Sequence, residues 1–248
     1  LAAMVVRSLR RGGKWTVASC VALGTAGHVS LTVSVWQAAA NSLRIAVDAT
    51  ILAMVIGIAL AFVLSRRPRS PHATRALGWL DAAVMLPLGV SAVTVGFGFL
   101  IALDKPPLDL RSSLVLIPIA QAMVAIPLVV RATLPVLRAI DPRLRQAASV
   151  LGASPGRVLA TVDAPIVLRS LGLAAGFAFA VSLGEFGATS FLARPDRPTL
   201  PVVIFRLLGR PGEGNYGMAL AASVVLAVVV AAVMTSAERL RPPQVGEL

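Results

Sequence analysis

The chain has 248 residues, is 57% hydrophobic and 14% charged, and carries a net charge of +12 with a mean hydropathy of +0.84. Soluble domains are about 25% charged, and one with this composition would expose large apolar patches; a nucleic-acid binder is excluded by the lack of interleaved aromatic and basic surface. A single cysteine, Cys20, rules out an intrachain disulfide and a thiolate metal cluster.

Six apolar runs approach or exceed the roughly 20 residues needed to cross a bilayer. The predicted spans are 15–36, 43–64, 76–103, 113–136, 166–193 and 216–236. Together they define one all-α membrane domain over 1–248, a bundle of about six transmembrane helices. The first run is too long for a cleavable leader and lacks a small-residue cleavage site. Span two stops at Ser65-Arg66-Arg67-Pro68-Arg69. Span three holds Pro87, Gly89, Gly96 and Gly98, which predict a bend or a close helix contact before Asp104-Lys105-Pro106-Pro107. Span four contains Pro118 and Pro127, tolerated where neighbouring helices satisfy the freed carbonyls.

Basic residues set the expected orientation. With the N-terminus in the cytoplasm, the inner segments hold fifteen Lys and Arg and the outer segments seven. Arg169 is left to snorkel from span five. The bias predicts both termini inside, and it puts the polar segment 137–165 in the cytoplasm.

That segment reads as two short helices around a break. Asp141-Pro142 is a helix start, an acceptor for orphan N–H groups followed by proline at the first helical position. Arg143 to Leu151 continues it, Gly152 ends it, and Ser154-Pro155 begins the next helix. Pro165 marks the start of span five. The plain alternative is a solvated amphipathic loop on the lipid headgroups.

The spacing within it is specific. Gln146-Ala147-Ala148, three residues, Gly152, nine residues, then Val162-Asp163-Ala164-Pro165 resembles the "EAA" loop of binding-protein-dependent (type I) ABC-importer permeases. Gln146 stands where the motif has Glu and Ala164 where it has Leu, so any ion pair made by the motif's acid is absent here. A second stretch, Ser182-Leu183-Gly184-Glu185-Phe186-Gly187-Ala188-Thr189 followed by Pro198-Thr199-Leu200-Pro201-Val202-Val203-Ile204-Phe205, resembles the "LGEFGA … TLP-x-x-I-[YF]" region of permeases for ferric iron, thiamine, sulfate and molybdate. The spacer 193–197 and the following 206–210 are most similar to the ferric-iron and thiamine branch, with sulfate or molybdate as the alternative substrates.

What the resemblance implies is a multi-pass permease of the bacterial cytoplasmic membrane. It implies a coupling loop, with Arg145, Gln146, Ala147, Ala148, Gly152, Ala153, Val162 and Pro165, docked on a separate nucleotide-binding ATPase subunit. ATP and Mg belong to that partner, and no G-x-x-x-x-G-K-[ST] is present in this chain. An extracytoplasmic solute-binding protein and a second permease half or second copy complete the complex. Leu1 is not Met, and the expectation is a fragment or the C-terminal half of a two-half permease.

Gly184, Glu185, Phe186 and Gly187 form the other candidate site. Glu185 is an acid deep in span five, where it should face protein or a water-filled path. It either lines a path for a cationic substrate or is a structural hydrogen-bond acceptor beside close-packing glycines. The structural role is preferred, because the related anion permeases carry the same Glu. Arg44 and Asp48, spaced i,i+4, read as a local ion pair, and His28 as a packing residue. No catalytic triad, paired-carboxylate or metal arrangement is present, and an ion-gradient-driven secondary transporter, which favours inverted repeats and intramembrane charges, is the weaker alternative.

Overall fold

A computed structural model describes residues 2–11, 14–24, 33–66, 68, 70–103 and 113–239. Helices dominate. The N-terminal part comprises α1 (Ala2–Ser8), an antiparallel pair β1 (Arg10–Arg11) and β2 (Lys14–Trp15), α2 (Ala18–Val21) and a 3₁₀ turn at Ala22–Gly24. The bundle follows with α3 (Val35–Leu64), α4 (Pro71–Gly89), α5 (Ala92–Ala102) and α6 (Leu116–Ala139). Then come α7 (Pro142–Val150), α8 (Pro155–Val158), a π-helical segment (Leu159–Asp163), α9 (Ala164–Gly184), α10 (Gly187–Leu192), α11 (Leu200–Leu208) and α12 (Glu213–Arg239).

The helix α3 runs thirty residues because its start is locked and its buried stripe keeps one period. Ser34 Oγ accepts from the Gln37 N–H at 3.2 Å, and Gln37 Oε1 accepts from the Ser34 N–H at 2.9 Å, a reciprocal capping box. Ala38, Ser42, Ala46, Ala49, Ala53, Gly57 and Ala61 then recur at three- and four-residue steps and are all buried. These small residues let α6 and α9 approach closely around Ala122, Ala125, Val129, Ala174 and Ala178. A Cβ on Gly57 would lie 2.8 Å from Val129, so glycine is needed at that crossing.

Among the described residues, three helices, α3, α6 and α12, are long and apolar enough to cross a membrane, and up to five spans result when each of two bent helix pairs counts as one. The sequence predicts six. The difference falls on the first span, 15–36. Among the described residues it is not one helix: Trp15 belongs to β2, α2 is four residues long, and the capping box starts α3 at Val35. Backbone pairing in β1–β2 and the Ser34 cap satisfy groups that a continuous helix would have used. Residues 25–32, with His28, lie outside the described residues.

Other boundaries move for physical reasons. The third span bends by 103° at Val90-Ser91, just past Gly89 and three residues after Pro87. The fifth is interrupted at Glu185-Phe186, where α9 ends and α10 begins. α11 is unforeseen, since nine residues are too few for a span. It buries Leu200, Val203 and Leu207 against Ala38, Met218 and Ala222, and Ser42 Oγ accepts from the Leu200 N–H at 2.7 Å, so a serine of α3 caps the start of α11.

Candidate functional site: a knuckle at one end of α6 and a buried carboxylate near the other

The segment 141–165 forms one folded unit. Asp141 caps α7 through the Arg143 N–H at 2.9 Å, with Pro142 in the first turn. The helix closes in a Schellman arrangement. The Gly152 N–H donates to the Ser149 carbonyl at 3.0 Å, and the Ala153 N–H donates to the Ala148 carbonyl at 3.0 Å. Gly152 takes φ +80°, a left-handed conformation that disfavours any side chain.

Arg145 leaves α7 toward the far end of the unit. Its Nε donates to Asp163 Oδ1 at 2.8 Å, and both side chains are partly withdrawn from solvent. Asp163 closes the π-helical segment, two residues before Pro165. Pro165 has no N–H for the Thr161 carbonyl and its ring crowds that carbonyl, which accounts for a widened turn at this point. Val162 packs against the cluster of Ala61, Leu64, Leu137 and Val167 that ends the bundle. Arg138 Nη2 donates to the Leu64 carbonyl at 3.3 Å, so a cation sits on the C-terminus of α3. Between unit and bundle lies a cavity of about 650 Å³ lined by Arg66, Arg138, Arg145 and Asp163.

The outer side of the knuckle is open. Gln146 and Ala147 are exposed, and Ala148 and Ala153 are half-buried. At the tip, Val150 is 86% and Leu151 87% exposed. Two adjacent large apolar side chains are thus held out by a folded turn instead of joining a core. The eight residues expected to carry coupling therefore lie together. Asp163 and the Val150–Leu151 tip were not among the residues expected to carry coupling. An acid at fixed distance from an arginine of the same polar loop was the available signal.

The second site lies on the far side of the bundle, near the opposite end of α6. Glu185 is 7% exposed, and its carboxylate accepts from the Ala188 N–H at 2.7 Å, the Thr189 N–H at 3.0 Å and Thr189 Oγ1 at 2.6 Å. It caps the first turn of α10. Gln121 of α6 extends the network by donating to Thr189 Oγ1 at 3.3 Å. Gln121 was not foreseen, although an amide inside an otherwise apolar span is itself a signal. The neighbouring motif residues fasten α10 to its surroundings. Phe186 meets Phe205 of α11 with ring centroids 4.9 Å apart. A Cβ on Gly187 would lie 2.9 Å from the Val93 nitrogen, and one on Gly96 would lie 2.5 Å from Ala188 Cα, so α5 and α10 touch backbone to backbone. Gly184 has open space around it.

Arg44 and Asp48 do not pair among the described residues; both are exposed and line the same groove. Asp81 lines a cavity with Arg138. No group of His, Cys, Asp and Glu among the described residues is arranged to hold a metal.

The fold superposes on a solved bacterial importer of the acidic polysaccharide alginate with a TM-score of 0.75 over 96% of this chain and 88% of that one, at 16% identity. It also superposes on the inward-facing MetNI methionine ABC transporter with a TM-score of 0.64 over 83% and 92%, at 19% identity. The class is thus an ABC-importer permease fold. In sequence, the molybdenum transport system permease ModB of Escherichia coli is 31% identical over 224 residues, 83% of this chain and 93% of ModB. A Salmonella typhimurium protein provisionally named as the 2-aminoethylphosphonate transport system permease PhnV is 29% identical over 205 residues, 83% of this chain and 74% of that one. No family model matches the chain. The chain belongs to the ABC-transporter permeases and is an integral membrane protein.

Proposed function

We propose that the chain is the membrane-spanning permease subunit of an ATP-driven importer, worked through the 141–165 knuckle by a separate ATPase subunit that binds ATP and Mg. The supporting observation is the solvent-facing Val150–Leu151 tip on a unit braced by the Arg145–Asp163 pair. An apolar tip of this kind suits a groove on a partner, and the brace carries displacement of the tip to the start of α9. The charge bias favours both termini and the knuckle in the cytoplasm of a bacterial inner membrane. A solute-binding protein on the other side and a second permease half or copy complete the assembly.

The solute we propose is an oxyanion of the phosphonate or molybdate type, since the relatives reported above are named for an aminoethylphosphonate and for molybdenum. Ferric iron or thiamine is the second reading, supported by the resemblance of 193–197 and 206–210 to that branch.

Cysteine crosslinking tests the coupling role. In a Cys20→Ser background, Leu151→Cys is expected to crosslink to the ATPase subunit in membranes. Labelling of Leu151→Cys only by reagents confined to the exterior would sink the reading. Uptake of labelled molybdate and 2-aminoethylphosphonate, competed with ferric citrate and thiamine, separates the two solute readings. Uptake that survives deletion of the ATPase would point to an ion-gradient carrier instead.

A further inference from the structure

A groove of about 560 Å³ runs between α3, the start of α6 and the end of α10, away from the knuckle. Its two ends differ in chemistry. One end holds Arg44, Arg194 and Arg197, with Ser113 and Leu114, because Leu192 and Leu116 pack with Ile45 beside Arg44. The other is apolar, formed along α3 by Ile51, Leu52 and Val55. Ile51 and Val55 are exposed although they lie on a membrane-spanning helix, so something apolar covers them.

Length and charge identify what fits. Arg44 and Val55 are eleven residues apart on α3, about 16 Å along the axis at 1.5 Å per residue. That is about half of a 30 Å hydrocarbon core, one leaflet deep. Arg194 and Arg197 are the ends of a turn closed by the Arg197 N–H on the Arg194 carbonyl at 3.2 Å, which brings both to the polar end. Arg194 also pairs with Asp196 at 3.1 Å. Three arginines set against Asp48 and Asp196 leave one positive charge, and a phosphodiester carries one negative charge.

We propose that this groove holds an anionic phospholipid, its phosphate between Arg44 and Arg197 and one acyl chain against Ile51, Leu52 and Val55. A small oxyanion would engage the arginines and leave the apolar half uncovered, whereas a phospholipid matches both halves. The site requires only that α3 crosses the bilayer, and it is independent of which solute is carried.

Native mass spectrometry of the detergent-purified permease–ATPase complex, titrated with phosphatidylglycerol, tests this. The unaltered complex is expected to retain a bound phosphatidylglycerol. The R44Q/R197Q double variant is expected to retain it at least about five-fold less, and Val55→Trp, which fills the apolar end and leaves the arginines intact, is expected to lose it as well. Equal retention in all three overturns the proposal. Loss in R44Q/R197Q with retention in Val55→Trp, together with displacement by inorganic phosphate, also overturns it and assigns the arginines to a free anion. If R44Q/R197Q fails to assemble with the ATPase, Val55→Trp alone decides.

Discussion

The Arg145 guanidinium donates to the Asp163 carboxylate across 2.8 Å, tying the first helix of the knuckle to the last turn before α9. The bond bridges eighteen residues that contain the Gly152 break and α8, so it sets the angle at which the tip projects. Asp163→Ala leaves the guanidinium without its partner at the rim of the cavity. The expected result is loss of ATP-coupled uptake with ATPase activity kept but no longer stimulated by solute. Loss of a charge-assisted hydrogen bond of this kind costs about 1.5–3 kcal/mol. The exchanged pair Arg145→Asp with Asp163→Arg should recover part of the uptake, measured in proteoliposomes; no recovery would argue against the pair as the brace.

Val150 and Leu151 should separate stability from coupling. Both are almost fully exposed, so Val150→Ser with Leu151→Ser is expected to change thermal stability by no more than about 0.5 kcal/mol. Co-purification of the ATPase should nevertheless fall sharply. A large drop in Tm with the partner retained would give these residues a core role instead.

Glu185 has every visible oxygen engaged on the N-terminal turn of α10. Glu185→Gln replaces an acceptor with a donor facing backbone N–H groups, and about 1–3 kcal/mol of destabilisation is expected. Uptake should fall in proportion to folded protein, with the preference among competing solutes unchanged. Altered solute preference at unchanged Tm would return Glu185 to the transport path.

Two glycines of α5 make a matched pair. A Cβ on Gly96 meets the Ala188 backbone at 2.5–2.9 Å, while nothing lies within 4 Å of one on Gly98. Gly96→Ala should destabilise by about 1–3 kcal/mol because backbone must move. Gly98→Ala should stabilise by about 0.5–1 kcal/mol through helix propensity. Thermal unfolding of the two variants in the same detergent reads the difference directly, and equal shifts would contradict the backbone contact.

The Arg194–Arg197 turn should resist acid. Asp196, outside the spans, has its carboxyl held below its ordinary value of 3.8, chiefly by a hydrogen bond from its own backbone, against the opposing effect of desolvation and with further lowering by Arg194 and Arg197. A depressed folded pKa means that the contribution is complete above the ordinary value and is lost as pH falls through the lower one. Amide exchange at Arg197, corrected for its intrinsic rate, should be flat down to about pH 4 and rise only below it. A rise already near pH 6 would show that Asp196 does not hold the turn.

Much of this molecule is written in local pattern. Apolar run length marked out the stretches that became α3, α6, α9 and α12. Asp141-Pro142 and Gly152 marked the limits of α7, because caps and left-handed turns depend on residues a few positions apart. Pro87 and Gly89 announced the bend between α4 and α5. The i,i+4 spacing of Arg44 and Asp48 misled, since both side chains are exposed, where an ion pair gains little over hydration.

Relations across the chain needed the folded bundle. Gln121 meeting Thr189, Ser42 capping α11, and Arg145 reaching Asp163 join residues 68, 158 and 18 positions apart. The two described ends of the first predicted span depart from a continuous helix for the same reason: strand pairing at Lys14–Trp15 and the Ser34 cap divert their backbone groups. Hydrophobicity and capping act over one or two turns and so can be read along the chain. Which buried polar group finds which partner depends on how helices cross, and that is decided only when the small-residue faces of α3, α6 and α9 pack together.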